Sequence, residues 1–208
     1  MLFSIFRKIA CGFMHLIFRL KVTGKENMPK EGAVIVAMNH KSLWDGPVVA
    51  VCLPRQLTIM AKKELFDIPV LKWILKWAGV FPVARGKNDL GAIKAALSAL
   101  KAQKAFALFP EGRRVLPGEE HTAKAGVAML ADRTGAAILP VALSGNYRFL
   151  ARVNVDIGKP MYLKSKTGEK LSGSEQQEAS DYLLEHILYM AGYGDKPEKK
   201  ETSTWIFE

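Results

Sequence analysis

Apolar runs of strand length recur along this chain, and each one ends in polar or charged residues. The clearest runs cover residues 33–38, 57–61, 105–109 and 136–143. Uninterrupted apolar runs are typical of strands that are buried on both faces of a parallel sheet. Segments with helical periodicity separate the runs, as crossovers between parallel strands require. We therefore expect an α/β fold with a mixed, largely parallel sheet flanked by helices.

The segments between these strands carry apolar residues at helical spacing. Helices are expected at residues 48–53, 69–79, 88–104, 124–134 and 174–190, and shorter strands at residues 80–86 and 153–157. Gly135 follows the fourth helix, in the position where a left-handed glycine commonly ends a helix. Because 49% of the 208 residues are hydrophobic and 24% are charged, we expect one domain with a substantial core over residues 28–193.

Residues 1–20 have the pattern of an amphipathic helix, followed by a linker to residue 27. Polar side chains share one side of this helix: Ser4, Arg7, Lys8, Cys11, His15 and Arg19. The apolar run at residues 9–18 is about half of the ~20 residues needed to cross a bilayer, so we expect an interfacial helix with basic flanks suited to anionic lipid. Two alternatives are a helix that packs on the domain as ordinary core and a signal peptide, although no small-x-small cleavage site follows.

The end of the chain, residues 194–208, is expected to be a polar, lysine-rich tail that is mobile. Its last apolar residues, Trp205–Phe207, are expected to fray rather than to touch a membrane. Cys11 and Cys52 lie in apolar surroundings without a paired spacing. Reduced thiols in a cytosolic compartment are therefore expected, and neither a disulfide nor a catalytic cysteine.

The chain is strongly basic, with 30 Lys and Arg against 20 Asp and Glu and a net charge of +10. This charge favours nucleic acid, an anionic membrane, an acidic carrier protein or a phosphorylated substrate, and does not choose among them. The helix expected at residues 69–79 places Trp73 and Trp77 beside Lys72 and Lys76. Tryptophan beside lysine is typical of the membrane interface, and equally of a half-buried surface helix.

The turn after the first apolar run contains His40 and, five positions later, Asp45. A carboxylate can hold one ring nitrogen of an imidazole while the other nitrogen accepts a proton, which makes histidine a general base near neutral pH. The same turn also fits a helix capping box, Ser42-x-x-Asp45, in which Asp45 only starts the next helix. This motif alone leaves both interpretations open.

Three other segments near strand ends carry charged side chains. They are Arg85, the turn Glu111-Gly112-Arg113-Arg114, and Lys124 at the start of a predicted helix. Arginine forms bidentate hydrogen bonds with phosphate, and a helix N-terminus adds backbone donors for an anion. We therefore expect a phosphate site beside a His-Asp base. The alternatives are a solvated surface arginine at position 85 and a surface salt bridge or turn residue at Glu111.

Four ordered motifs give the chain a specific resemblance. Asn39-His40-x4-Asp45, the segment GVFPVAR at residues 79–85, FPEGRR at 109–114 and ILPV at 138–141 resemble the four blocks of the glycerolipid acyltransferase family. Within that family the chain looks like the bacterial 1-acylglycerol-3-phosphate acyltransferases. The amphipathic N-terminal helix is also similar to the family's membrane-docking segment.

The resemblance implies roles for individual residues. His40 is implied to take the proton from the glycerol hydroxyl of the acceptor, and Asp45 to orient and support His40. The positions that match the family's acceptor and phosphate site are Arg85, Glu111, Gly112, Arg114 and Lys124, while Pro140 is implied to shape a pocket wall. Arg113 stands where the family commonly has threonine. Whether Arg113, Arg114 or both reach the phosphate is therefore open.

The resemblance also implies a reaction and a location. A fatty acyl group would pass from acyl carrier protein or coenzyme A to the 2-hydroxyl of lysophosphatidic acid and give phosphatidic acid, with the thioester as co-substrate and no other cofactor. The expected location is the cytoplasmic face of the cell membrane, as a peripheral or monotopic protein. The alternatives are another lysophospholipid or amino-lipid acceptor, and a basic peripheral membrane protein without enzymatic activity.

Several motifs of other chemistries do not occur in the sequence. There is no Gly-x-Ser-x-Gly elbow, so Ser42 is not an obvious nucleophile and direct transfer is favoured over a covalent acyl-enzyme. There is also no His-Glu-x-x-His or Cys-x-x-Cys cluster, so no metal is expected. Nucleic acid is not expected as a partner, since the acidic side chains of Asp45 and Glu111 would weaken binding to a polyanion.

Overall fold

A computed structural model of the protein describes residues 2–69, 72, 75, 79–83, 90–198 and 203–208. In these ranges the α-helices are α1 (Leu2–Ile17), α2 (Asp45–Cys52), α3 (Leu90–Lys101), α4 (Gly126–Thr134) and α5 (Gly173–Met190). The strands are β1 (Arg19–Thr23), β2 (Val34–Met38), β3 (Leu57–Lys62), β4 (Val80–Val83), β5 (Ala105–Leu108), β6 (Ala137–Gly145), β7 (Arg152–Ile157), β8 (Leu163–Ser165) and β9 (Trp205–Phe207). Short 3-10 helices cover Lys25–Asn27 and Lys63–Asp67.

Seven of these strands form one sheet in the order β1-β7-β6-β2-β5-β3-β4. Every neighbouring pair is parallel except β6 and β7, which are antiparallel. The expected mixed, largely parallel sheet flanked by helices is therefore confirmed. The predicted helix at residues 69–79 lies mostly outside the described residues, and Gly135 has the expected left-handed conformation with φ of 64°.

Strand β2 shows why the apolar runs become buried strands. All five of its residues are buried, and alternate side chains point to opposite faces of the sheet. Val34, Val36 and Met38 pack in the core on the side of α1 and α2. Ile35 and Ala37 pack in the core on the side of α3, α4 and α5. Because both faces of the strand are covered by helices, neither set of side chains can be polar.

The register of the central strands brings their C-terminal ends together. Ala37 of β2 lies opposite Leu108 of β5 and opposite Pro140 of β6. The chain leaves β2 towards His40 and leaves β5 towards Glu111, so the two turns meet at the same edge of the sheet. Ligand sites in open α/β sheets form at this edge.

The N-terminal helix differs from the prediction in its end and in its packing. It ends at Ile17 instead of continuing to residue 20, because Phe18 is buried, with 2% of its surface exposed, and β1 begins at Arg19. Cys11 and Met14 pack against the domain core, while Ile9, Phe13 and Leu16 are 65%, 55% and 68% exposed. In the described part of the chain, no helix has the length and apolarity that crossing a membrane requires.

The end of the chain is ordered by packing, so the predicted fraying of Trp205–Phe207 is wrong. These residues form β9, which pairs with β8 in an antiparallel two-stranded sheet. Trp205 is 1% exposed, lies 5.6 Å from the Tyr182 ring of α5, and donates a hydrogen bond from Nε1 to Glu178 at 3.1 Å. The aromatic contacts bury more apolar surface than a polar tail composition suggests.

Candidate active site

The Asp45 carboxylate organises the turn between β2 and α2. Its Oδ2 accepts hydrogen bonds from the backbone N–H groups of Lys41 at 2.7 Å and Ser42 at 2.6 Å, and it lies 2.9 Å from Nδ1 of His40. The Asp45 side chain is completely buried. One carboxylate therefore both closes the turn that leads into α2 and pairs with the histidine. The helix itself begins at Asp45, and the side chain of its N-cap residue, Trp44, makes no capping bond. Ser42 Oγ accepts from Trp44 N–H at 3.3 Å rather than from Asp45 N–H, so only half of the capping box forms.

The His40 ring is held on one face as well as at one nitrogen. It stacks on the Phe109 ring with centroids 3.8 Å apart and planes inclined by 17°. A carboxylate at Nδ1 favours the tautomer in which Nδ1 carries the hydrogen and donates it to Asp45. The other ring nitrogen, Nε2, then has a free lone pair and can accept a proton.

The backbone of His40 is fixed by the loop that follows β5. Its N–H donates to Glu111 Oε2 at 2.8 Å, and its carbonyl accepts from Val115 N–H at 2.8 Å. The other oxygen of Glu111 lies 2.8 Å from Nδ1 of His121. Glu111 lies in a turn, as one alternative expected, but it is 3% exposed and is therefore not a surface salt bridge.

Burial dominates the electrostatics of Glu111. Desolvation raises the pKa of Glu111 above its usual range, and the hydrogen bonds from His121 and His40 partly oppose that rise. Both carboxylate oxygens of Glu111 are used within the protein. Its observed contacts hold His40, and its implied role in acceptor binding stays a prediction.

Gly112 and Lys124 are in direct contact. Gly112 has φ of +66°, and a Cβ atom at this position would lie 2.9 Å from Cδ and Cε of Lys124. A side chain at position 112 would be strained by the left-handed backbone and would displace the end of the Lys124 side chain. Lys124 was predicted to start α4, but the helix begins at Gly126 and Lys124 lies in the preceding loop, where its N–H donates to the Pro110 carbonyl at 2.9 Å.

Two of the three candidate arginines lie in the described residues, and their contacts differ. Arg113 Nη1 forms a salt bridge with Glu119 Oε2 at 2.5 Å, and both side chains are exposed. Arg114 is exposed too, and none of the described residues binds its guanidinium. Arg85 lies outside the described residues. The phosphate-binding roles of Arg85 and Arg114, and the sharing between Arg113 and Arg114, therefore stay predictions.

Two residues near the site have contacts that the sequence did not assign to them, namely Asn39 and His121. The Asn39 side chain is buried and exchanges hydrogen bonds with the backbone of Leu143 in β6, at 3.0 Å from Nδ2 and 2.8 Å to Oδ1. In the sequence, the available signal for Asn39 was an amide side chain directly after an apolar run. No spacing rule links His121 to Glu111, so that contact had no signal in the sequence.

An apolar cavity of about 160 Å³ opens beside the Phe109 and Lys124 side chains. Its walls come from α3, β3, β5 and α4, and include Met60, Ile93, Ala96, Leu108, Val127 and Leu130.

Within the described residues, no group of three or more His, Cys, Asp or Glu side chains is arranged to hold a metal ion. Burial raises the pKa of Cys52 to about 12, which keeps this thiol uncharged at neutral pH.

The family of the chain follows from its sequence together with this geometry. The sequence model of the family described as Acyltransferase matches residues 19–144, which run from β1 through most of β6 and include His40, Glu111 and Lys124. This match covers more than half of the chain, which therefore belongs to the acyltransferase family. The resemblance predicted from the four motif blocks is confirmed at this level.

Individual relatives carry a more specific name. A 1-acyl-sn-glycerol-3-phosphate acyltransferase of Borreliella burgdorferi is 30% identical over 148 residues, which are 70% of this chain and 59% of the relative. One of Bacillus subtilis is 33% identical over 127 residues, which are 61% of this chain and 63% of the relative. The matches thus span about three fifths of the length of these relatives.

A solved structure has the same fold. The crystal structure of the 1-acyl-sn-glycerophosphate (LPA) acyltransferase PlsC from Thermotoga maritima superposes with a TM-score of 0.67 at 26% sequence identity. The superposition covers 91% of this chain and 77% of that chain. The likeness extends beyond the motif blocks to nearly the whole α/β domain.

The buried carboxyl group of Glu111 predicts a pH-dependent stability. Because its folded pKa is raised, the ionisation of Glu111 opposes folding, and wild type should lose stability relative to Glu111→Gln as pH rises through that pKa. Chemical denaturation from pH 4 to pH 8 measures the difference in the free energy of unfolding. Each unit by which the pKa is raised corresponds to about 1.4 kcal/mol.

The exposed neighbour Glu120 provides the control. Glu120→Gln removes the same charge without removing a buried carboxylate, so its difference from wild type should change little with pH. The difference in the free energy of unfolding between wild type and Glu111→Gln should not stay constant with pH. A constant difference, or a wild type whose stability rises relative to the variant as pH rises, would contradict a raised pKa for Glu111.

Proposed function

We propose that this protein transfers a fatty acyl group from an acyl thioester to the 2-hydroxyl of 1-acylglycerol-3-phosphate and forms phosphatidic acid. The observation that carries the proposal is the buried Asp45 carboxylate, 2.9 Å from Nδ1 of His40 at the C-terminal edge of the sheet. The names of the relatives and of the solved protein support the acceptor, since each is an acyltransferase for an acylated glycerophosphate.

The proposed mechanism is direct transfer with His40 as general base. Nε2 of His40 takes the proton of the acceptor hydroxyl while that oxygen attacks the thioester carbonyl. The C–S bond then breaks, and the leaving sulfur takes the proton from the imidazolium. The Asp45 carboxylate stabilises the positive charge on the ring between these two steps. No residue of the protein becomes acylated.

Basic side chains around the turn after β5 suit the acceptor phosphate. Lys124 lies against Gly112, and Arg114 is exposed and unbound by the described residues, so both cations are available to an anion. We assign the phosphate to Arg114, Lys124 and Arg85, with Arg113 held by Glu119. Glu111 and Gly112 support this site by shaping the turn that carries it.

The apolar cavity offers space for an acyl chain. It borders Phe109, whose ring stacks on His40, and Lys124, which we assign to the phosphate. An acyl chain in this cavity would therefore end close to the reacting atoms. Either acyl carrier protein or coenzyme A fits as donor, because both are anionic and the chain carries a net charge of +10.

A thioester assay with one substitution tests the base. Purified wild type with acyl thioester and 1-acylglycerol-3-phosphate should release free thiol and form phosphatidic acid. His40→Ala should slow both by about 10²–10⁴-fold, the usual contribution of a general base. His15→Ala, at an exposed position on α1, is the matched control and should keep full activity. If His40→Ala keeps more than a tenth of the rate, the assignment of the base is wrong.

The same assay decides between acceptors. Another lysophospholipid or an amino-lipid is the alternative acceptor, and comparing acceptors with and without a phosphomonoester separates the two. Arg114→Ala should raise KM for the phosphomonoester by more than Arg113→Ala does, and should leave a neutral acceptor unaffected. If Arg114→Ala raises KM equally for both acceptors, Arg114 does not bind the phosphate. Absence of thiol release by wild type would favour the alternative of a basic membrane-binding protein.

We also propose that the enzyme docks on the cytoplasmic face of the membrane, as a peripheral or monotopic protein. Ile9, Phe13 and Leu16 form an exposed apolar stripe on α1. Leu43 and Phe149 extend it next to the His40 turn, with 74% and 73% of their surfaces exposed. The loop after β6 is joined to α1 by a 2.7 Å hydrogen bond from Leu150 N–H to the Ile17 carbonyl. One apolar surface, defined by these residues, therefore borders the site.

Vesicle flotation tests the docking surface. The double substitution Phe13→Ser and Leu16→Ser should lower the affinity for vesicles of anionic phospholipid at least about tenfold, because it removes two apolar side chains from the interface. Tyr162→Ser is the control, since Tyr162 is 46% exposed but follows Met161, which bridges to Ile138 near the start of β6 at the opposite edge of the sheet. Equal binding by wild type and the double variant would show that this stripe does not dock.

A further inference from the structure

Two buried polar atoms beside the His40 turn lack a hydrogen bond in the structure. They are Oδ1 of Asp45, the oxygen that does not face His40, and the hydroxyl oxygen of Tyr147, which follows β6. Among the described residues, neither atom has a partner that meets hydrogen-bond geometry. Buried polar groups are almost always paired, so two such atoms at one site require an explanation.

The Tyr147 ring is packed against the turn that carries Asp45. It meets Phe18 edge to face with centroids 5.4 Å apart, and Phe18 in turn contacts Trp44, the residue before Asp45, at 5.5 Å. Nζ of Lys41 lies 5.8 Å from the centre of the Tyr147 ring, and the Lys41 N–H is one of the donors to Oδ2 of Asp45. Phe18 with Trp44, and Lys41, therefore connect the Tyr147 ring to the turn that carries Asp45.

The phenol and the carboxylate also interact electrostatically. Burial raises the pKa of Tyr147 most, and the negative charge of Asp45 raises it further. The phenol is therefore protonated and is a donor close to a carboxylate oxygen without one. The other ionisable groups that face Tyr147 are Lys41, Cys52 and Tyr193. None of these supplies a hydrogen bond to Oδ1 of Asp45.

We propose that Tyr147 is a positioning residue, whose O–H donates a hydrogen bond to Oδ1 of Asp45 and completes a Tyr147–Asp45–His40 chain. Both oxygens are buried beside the same turn and neither has another partner among the described residues. With Oδ2 bound to the turn and Oδ1 bound to Tyr147, the carboxylate plane is fixed from both sides. The proposal concerns the same site as the proposed acyl transfer, and its catalytic consequences rest on that function.

The phenol also sets how strongly Asp45 attracts a proton on His40. A donor at Oδ1 draws negative charge away from Oδ2, which faces Nδ1 of the imidazole. Without it, the carboxylate stabilises the protonated ring more strongly. The other ionisable group that faces His40 is Glu111, which lies on the backbone side and is unchanged by substitution at Tyr147.

Tyr147→Phe removes only the hydroxyl and keeps the contact of the ring with Phe18, so the variant should fold. Nuclear magnetic resonance of the His40 ring signals, followed against pH, should show a titration midpoint higher than in wild type by about half a unit or more. Tyr193→Phe is the matched control, because Tyr193 also contacts Lys41, through its hydroxyl at 3.4 Å, but does not pair with Asp45. Its midpoint should equal that of wild type.

In the thioester assay, Tyr147→Phe should lower kcat several-fold with little change in KM, and the acid limb of the pH–rate profile should move to higher pH. An unchanged or lower midpoint of the His40 signals in Tyr147→Phe would overturn the proposal. The ring titration needs no turnover, so it is decisive even if wild type shows no acyl transfer. Absence of acyl transfer by wild type would reject the proposed function, and the test of Tyr147 would still stand.

Discussion

A single buried carboxylate oxygen joins the scaffold of this protein to its chemistry. Oδ2 of Asp45 binds two backbone N–H groups of the turn and the ring of His40 at the same time. The backbone bonds close the turn that leads into α2, and the ring contact is the one that a general base requires. Because the same atom makes both, the orientation of the imidazole follows from the geometry of the turn. The bonds that order this turn therefore also orient the imidazole that we propose as the base.

The sheet register explains why the loop after β5 completes the site. Adjacent parallel strands end at the same edge, so Glu111 reaches the His40 backbone and Phe109 reaches the His40 ring without any long connection. Glu111 is costly to bury as an anion, and that cost is offset only by the bonds it makes to His40 and His121. The motif resemblance implies a binding role for Glu111, but its observed contacts support His40, the base that we propose.

Residues whose environment is set by local chain order were predictable, and those set by distant packing were not. The apolar runs predicted the buried strands, because burial on both faces is written into each run. The His40–Asp45 spacing made the pair one of two interpretations of a single turn, and the resemblance of the four motifs favoured it. The burial of Trp205 depends on α5, and the contact of His121 depends on the path of the whole loop from Glu111. The end of α1 depends on Phe18 meeting Trp44 and Tyr147. No periodicity in the sequence reports such contacts.

The central claim is that Asp45 holds His40 in the tautomer that leaves Nε2 free to take a proton. Nitrogen-15 nuclear magnetic resonance of histidine-labelled protein, at a pH above the titration midpoint of His40, tests it most directly. The variant Asp45→Asn shows whether the tautomer of His40 depends on the Asp45 carboxylate. We expect Nδ1 to carry the hydrogen and Nε2 to have the chemical shift of an unprotonated nitrogen in wild type, and this preference to weaken in Asp45→Asn. A hydrogen on Nε2 in wild type, or a tautomer unaffected by Asp45→Asn, would contradict the claim.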